Sequence, residues 1–215
     1  MGRLGRFSTP LVLALALALI WTLALPAMAA DRQPVGRVIR QEGGATVLRD
    51  TVRSPLLPGT AIFAGDVVET ATASRITLRF DDDSTLTAGP DSRVAVSQYT
   101  AAPAGGRSGA LFTLLAGIVR AAVQHAGFGS FAVQTEDAVA SARSTEWTVE
   151  ILPATTAVLS LEGAVEVTGR RTGASVTLNP GQGTVVAPGA SPTNPITWGA
   201  PRVERTLRLV GPAVR

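Results

Sequence analysis

The chain has 215 residues, of which 46% are hydrophobic and 5% aromatic, which suits one domain or one domain with a tail. All 19 basic residues are arginine and the formal net charge is only +3, so the chain lacks the concentrated basic face that nucleic-acid binding requires. The absence of cysteine excludes a disulfide framework, thiol nucleophiles and iron–sulfur clusters.

The first 30 residues are predicted to be a signal peptide. Arg3 and Arg6 precede a nearly pure leucine and alanine run at Leu11–Leu25, and Ala27–Ala29 forms a small-x-small cleavage site. We expect cleavage after Ala29 or Ala30, a periplasmic mature protein and no membrane insertion after cleavage. An uncleaved anchor is the alternative, although the apolar run is short for a span of about 20 residues.

Residues 31–187 are predicted to form one all-β domain. Short alternating runs are separated by turn residues at intervals of about eight to twelve residues, which is typical of a sandwich or roll. We therefore expect a twisted β-sandwich or β-roll of about a dozen short strands. The leucine-rich run at 111–123 is assigned to strands, because Gly117 interrupts it and β-branched residues follow. Residues 100–109 are small and Gly-rich and predict a surface loop.

Three glycine-containing turns predict β-hairpins in this domain. They are Gly43-Gly44, Glu162-Gly163 and Asn179–Gly181, each flanked by two alternating runs. Residues 188–215 are predicted to be a Pro-rich linker and C-terminal tail. Within that tail, 196–210 is compatible with a strand or with a short helix, and the sequence leaves this choice open.

A tryptophan-containing strand near the middle of the chain is predicted to anchor the core. In the run that ends at Val149, Trp147 shares one face with other apolar or small residues, whereas Glu146, Thr148 and Glu150 lie on the opposite face. Because tryptophan is a large apolar anchor, we expect this strand to cross the middle of the domain. The polar face is expected to lie toward water or a partner.

A series of short motifs follows one order along residues 35–187. They are Gly36-Arg37-Val38, Gly65–Thr70, Phe80–Ser84, Leu114–Arg120, Val133–Trp147, Leu161–Val167 and Leu178–Gln182. Their order and spacing resemble the FecR-like periplasmic domain family. Three positions depart from the family pattern: Asp83 and Ser144 stand where glycine is usual, and Glu136 replaces a common proline.

This resemblance implies a non-enzymatic module that relays protein contacts in the cell envelope. The best-known members regulate iron uptake and combine a cytoplasmic anti-sigma segment, one membrane helix, this domain and a receptor-contacting domain. The leader of this chain leaves no room for the cytoplasmic segment, so we do not carry sigma-factor regulation over.

Four charged residues are the candidate interaction residues. Arg143 precedes the tryptophan strand and Glu146 lies on its polar face, while Arg75 and Arg79 share one face of an earlier strand. The paired arginines would suit an anionic polymer such as cell-wall glycan. The alternative that we favour is structural, with Arg143 in an ion pair or bonded to turn carbonyls and the others on solvated faces.

Two further groups of residues do not match a metal site or a catalytic site. Asp81–Ser84 is acidic enough for a calcium loop, but its spacing does not match an EF-hand, so we expect a hairpin turn. His125, with Ser130 and Asp137, lacks the constellation of a hydrolase and sits in a Gly-containing loop. We therefore expect no catalytic residue, cofactor or metal.

The partner is expected to be an envelope protein, with a cell-wall glycan as the alternative. Protein contact would use a polar sheet face or strand addition at an exposed sheet edge. Exposed aromatic rings near Trp198 or Tyr99 would support glycan binding, because sugars stack on rings.

Overall fold

Alternating apolar and polar residues form short strands along most of the chain. The computed structural model describes Gly2 and residues 32–101, 107–123 and 129–212. Eighteen strands and one helix lie in this described part. In chain order they are β1 Gly36–Glu42, β2 Ala45–Arg49, β3 Val52–Pro55, β4 Ala61–Ile62, β5 Val67–Thr70, β6 Arg75–Phe80, β7 Thr85–Ala88, β8 Arg93–Ala101, β9 Arg107–Ala116, β10 Ile118–Ala122, β11 Phe131–Gln134, β12 Ala138–Ala142, β13 Glu146–Leu152, β14 Thr155–Glu162, β15 Val165–Gly169, β16 Ser175–Leu178, β17 Gln182–Val186, β18 Ile196–Thr197 and α1 Ala200–Val210.

The strands form two nine-stranded sheets. Sheet A has the order β18-β17-β14-β13-β10-β7-β6-β1-β4, and sheet B has the order β16-β15-β12-β11-β9-β8-β5-β2-β3. The described neighbours are antiparallel except β9 and β11, which run parallel. The predicted all-β sandwich is thus confirmed, with eighteen strands where about a dozen were expected.

The three predicted hairpins are wrong, because each turn carries the chain from one sheet to the other. Gly43-Gly44 joins β1 of sheet A to β2 of sheet B, and Glu162-Gly163 joins β14 to β15. Asn179–Gly181 likewise joins β16 to β17. A glycine turn between two alternating runs is the same local signal in a hairpin and in a sheet corner. Which sheet buries the second run is decided by the rest of the core.

The core lies between the two sheets and is mostly aliphatic, with a row of aromatic rings through its middle. Trp147 is fully buried, which confirms its predicted place. Its indole meets Phe131 edge-on at 5.8 Å, and Phe131 stacks on Phe112 at 4.7 Å. Phe80 then contacts Phe112 at 4.9 Å and continues the row to the edge of the core.

The leucine-rich run forms strands, as the sequence predicts. Residues 111–123 lie in β9 and β10, separated at Gly117, where φ is +79°. Of the loop predicted over 100–109, residues 100–101 belong to β8 and residues 107–109 to β9, while 102–106 lie outside the described residues. The signal peptide and His125 lie outside the described residues.

The C-terminal segment contains both of the elements that the sequence left open. Ile196–Thr197 pairs with β17, and Ala200–Val210 is helical. The compact unit that begins at Gln33 includes this helix, beyond the expected domain boundary at 187. Within the described residues, no helix has the length and apolar character needed to cross a membrane.

Candidate interaction surface

The polar face of β13 is buried, contrary to the expectation that it lies toward water. Alternation sends Trp147 into the core and Glu146, Thr148 and Glu150 to the outer face of sheet A. Glu146 and Glu150 are nevertheless only 7% and 8% exposed. A buried carboxylate must be paired, because removing its hydration is costly. Each of these two carboxylates has an arginine partner.

Glu150 binds the C-terminal helix through a bidentate ion pair. The Arg205 guanidinium donates from Nη1 to Oε2 at 2.9 Å and from Nη2 to Oε1 at 2.8 Å. The hydrogen bonds and negative charge of Glu150 raise the pKa of Arg205 above its ordinary value. This geometry is the planar fork-to-fork match that arginine makes with a carboxylate.

The carboxyl end of α1 is held by two arginines of sheet A. Arg75 donates from Nε to the Leu209 carbonyl at 3.1 Å and from Nη2 to the Arg208 carbonyl at 2.9 Å. Arg120 donates to the Gly211 carbonyl and also pairs with Glu146. The last carbonyls of a helix lack intrahelical partners and carry partial negative charge, so cations stabilise them.

The amino end of the same segment is held by an aromatic contact. Trp198 packs directly on Gly183 of β17, where an added Cβ would lie 2.1 Å from the indole ring. The Arg202 guanidinium stacks over the indole ring, 3.5 Å from its centre. Around this contact lies a small apolar cluster on the outer face of sheet A, formed by Ala157, Leu159 and Trp198 with Leu152, Leu161, Val185 and Val203.

The four predicted interaction residues do not form one site. Arg75 and Glu146 belong to the arginine network at the end of α1. Arg143 is exposed in the β12–β13 turn and makes no ion pair with a described residue. Arg79 lies opposite Arg37 in the β1–β6 register, and both line a cleft with Asp81 and Asp83.

Sequence reasoning missed the two arginines that complete the helix contact. Arg120 ends the Leu114–Arg120 motif, but its partner Glu146 lies 26 residues later in the chain. Arg205 and Glu150 are separated by 55 residues. No local pattern signals a pairing over such separations, since it depends on α1 folding back over sheet A.

The acidic run at Asp81–Ser84 forms the predicted hairpin turn between β6 and β7. Asp83 adopts φ +60° there, a conformation that aspartate tolerates. Asp82 points inward and pairs with Arg107. Among the described residues, no group of three or more His, Cys, Asp or Glu is placed to hold a metal ion.

The two aromatic rings that glycan binding would use are both occupied. Trp198 packs on Gly183, and the Arg202 guanidinium lies over its ring. Tyr99 stacks on Phe80 at 5.6 Å and donates a hydrogen bond to Asp82 at 3.3 Å. Trp198 is only 7% exposed and Tyr99 is half-buried, so neither ring is freely exposed.

One edge of sheet B offers an exposed strand. β3 pairs with β2 on one side, and all four of its residues are exposed. Val52 at its start is 64% exposed. Edge strands of this kind have backbone groups free to pair with an added strand.

The fold and this surface define an all-β, two-sheet module whose charged outer face is covered by its own C-terminal helix. Residues 66–166 match the family model described as FecR protein, which confirms the resemblance in the motifs over this range. No curated protein matches the chain.

Two crystal structures of a protein described as a "putative anti-sigma factor" from Parabacteroides distasonis have a similar fold. Both are 15% identical to this chain with a TM-score of 0.54, and each alignment covers 66% of this chain. The chain spans 64% and 63% of the length of those two structures. At this identity the likeness concerns the fold alone.

Proposed function

We propose that this protein is a non-enzymatic FecR-domain module that makes regulatory protein contacts in the periplasm. The observation that carries the proposal is the FecR match over residues 66–166, set in a sandwich with an exposed edge strand. The fold shared with a protein described as an anti-sigma factor supports a signalling role. Export would follow from the leader at 1–30.

Strand addition at β3 is the contact mode that the geometry supports best. The alternative mode, contact through the polar face of β13, is blocked while Glu150 is paired with Arg205. The outward edge of β3, by contrast, pairs with no described strand. An extended segment of an envelope protein could add there through main-chain hydrogen bonds.

Site-specific photo-crosslinking in cells tests this contact. A photoreactive amino acid at Val52 of the edge strand should capture a discrete protein partner. The matched control is Leu115, which is also exposed, at 50%, but lies on β9 between β8 and β11. Equal crosslinking from both positions, or from neither, would contradict the edge-strand contact.

Export is tested separately by fractionation and N-terminal sequencing. A periplasmic protein that starts near residue 30 or 31 is the expected result, and a full-length cytoplasmic protein would overturn it. Binding to purified sacculi that survives high salt would instead favour a cell-wall glycan as the partner.

A further inference from the structure

We propose that the outer face of sheet A is a helix-binding site that α1 occupies in cis and that a basic amphipathic helix of a partner protein occupies in its place. This inference rests on the proposed function only in taking the partner to be a protein. The bound α1 defines which features a competing helix needs.

Three side chains of sheet A hold α1, and two of them, Arg75 and Arg120, bind groups that every helix end presents. Arg75 and Arg120 together bind the carbonyls of Arg208, Leu209 and Gly211, which are main-chain groups at a helix end. Any helix that ends at this place can supply such carbonyls. These contacts therefore fix the position and polarity of a bound helix, with its carboxyl end over β6 and β10.

The third side chain, Glu150, determines which residue type the bound helix must carry opposite it. Glu150 accepts both hydrogen bonds of Arg205, four residues before Leu209. A competing helix therefore needs arginine one turn before its last bonded carbonyls. The requirement for a basic side chain follows from Glu150 alone, because Glu42 and Glu146 are already paired with Arg40, Arg75 and Arg120.

The helix α1 has the features of an exchangeable occupant. It has 11 residues, no side-chain cap at its amino end and no acidic residue in its first turn. Helices this short are marginal alone in water, so α1 depends on the sheet for its stability. Only Thr206 and Val210 are buried within it, and the Arg205 side chain is 50% exposed. Elements with little buried apolar surface open first.

The face is also wider than α1. A groove of about 790 Å³ lies beside the carboxyl half of the helix, and Arg75, Arg120 and Leu207 line it together with Gly211 and Pro212. A partner helix with larger side chains on that flank could fill this groove. Such contacts would compensate for the advantage that α1 has from being covalently attached.

A reciprocal charge exchange with a labelled peptide tests the proposal on the purified protein. The probe is a synthetic peptide with the sequence of residues 196–212, used unchanged and as its Arg205→Glu version, with binding followed by fluorescence anisotropy. Protein Arg205→Glu should release its own helix and bind the unchanged peptide about tenfold more tightly than wild-type protein does, because the competing cis helix is weakened. Protein Glu150→Arg should bind the Arg205→Glu peptide and reject the unchanged one.

A matched control and a second measurement complete the test. Arg208→Glu in the peptide changes the charge equally at a side chain that is 71% exposed, and it should leave binding unaltered. Hydrogen exchange should show faster exchange across 200–210 in the Arg205→Glu protein, with β13 and β14 unchanged. Unaltered protection of α1 in that variant, or failure of both proteins to discriminate between the peptides, would overturn the proposal.

Exchange of α1 between two copies of this chain would contradict the proposal that the competing helix comes from a different protein. It would appear as a dimer of the wild-type protein in solution by light scattering. A photo-crosslink at Val52 together with failed peptide binding would refute the helix site and leave the proposed function intact.

Discussion

Asp82 and Arg107 form an ion pair inside the protein, although they are 25 residues apart in the chain. Their side chains are 3% and 0% exposed. Asp82 also accepts a hydrogen bond from the Ser84 hydroxyl at 2.7 Å, and Arg107 donates to the Gly129 carbonyl at 3.2 Å. One carboxylate of an acidic turn is therefore an interior group that ties β6 and β7 to β9.

Asp82→Ala should destabilise the protein by about 3–5 kcal/mol, because it leaves the buried guanidinium of Arg107 without a counter-charge. Urea unfolding followed by circular dichroism measures the change. Asp81→Ala is the matched control, since Asp81 is exposed in the same turn, and it should stay within about 0.5 kcal/mol. Equal losses in the two variants would show that the ion pair is not an interior anchor.

The tyrosine beside this ion pair should make stability fall at high pH. Burial, and then the negative charge of Asp82, raise the pKa of Tyr99 above its ordinary value. The folded state therefore holds the phenol proton more tightly than the unfolded state does. In the unfolded state the tyrosine ionises at about pH 10. The resulting stability is fully present below that pH and is lost as the pH rises above it.

Tyr99 is the only tyrosine, so the absorbance of tyrosinate reports its ionisation directly. We expect ionisation of the folded protein only well above about pH 10. Tyr99→Phe should flatten the decline of unfolding free energy in that range, whatever its effect at neutral pH. A free phenol that ionises at its ordinary pH would contradict the buried contact with Asp82.

Removal of the central indole should cost about 3–5 kcal/mol of unfolding free energy, as for other buried aromatic truncations. Trp147 is fully buried and meets Phe131 edge-on, so Trp147→Ala leaves a cavity between the sheets. Leu115→Ala, at an exposed side chain, serves as the control in the same denaturant titration. A midpoint that does not move in Trp147→Ala would place the core elsewhere.

Gly117→Ala, at the sheet corner between β9 and β10, should lower the free energy of unfolding by more than the strain of a positive φ alone would. An added Cβ would lie 2.6 Å from the Ser92 Cα and 2.8 Å from the Asp91 carbonyl oxygen, and φ is +79°. Gly173→Ala is the matched control, because φ is +70° there and no atom lies within 4 Å of an added Cβ.

The control should show only the left-handed strain of about 1–2 kcal/mol. Gly117→Ala should exceed it in a thermal or urea melt, because the backbone of Ser92 cannot move without disturbing β8. Equal losses in the two variants would mean that the corner at Gly117 relaxes freely.

The sequence determined the fold class, the place of Trp147 and the family motifs. These follow from short-range physics, because alternation with period two decides which side chains of a strand share a face. The same local reasoning assigned 111–123 to strands and placed the acidic turn at Asp81–Ser84. It also predicted correctly that Glu146 and Glu150 lie opposite Trp147.

Only the tertiary structure decided what covers each face and which strands pair. The turns at Gly43, Gly163 and Gly181 are corners between sheets, although their local signal equals that of hairpins. The pairing of Glu150 with Arg205 arises because the C-terminal segment folds back over sheet A. Such contacts join residues that are far apart in the chain, and their free energy depends on the desolvation of both partners in the folded molecule.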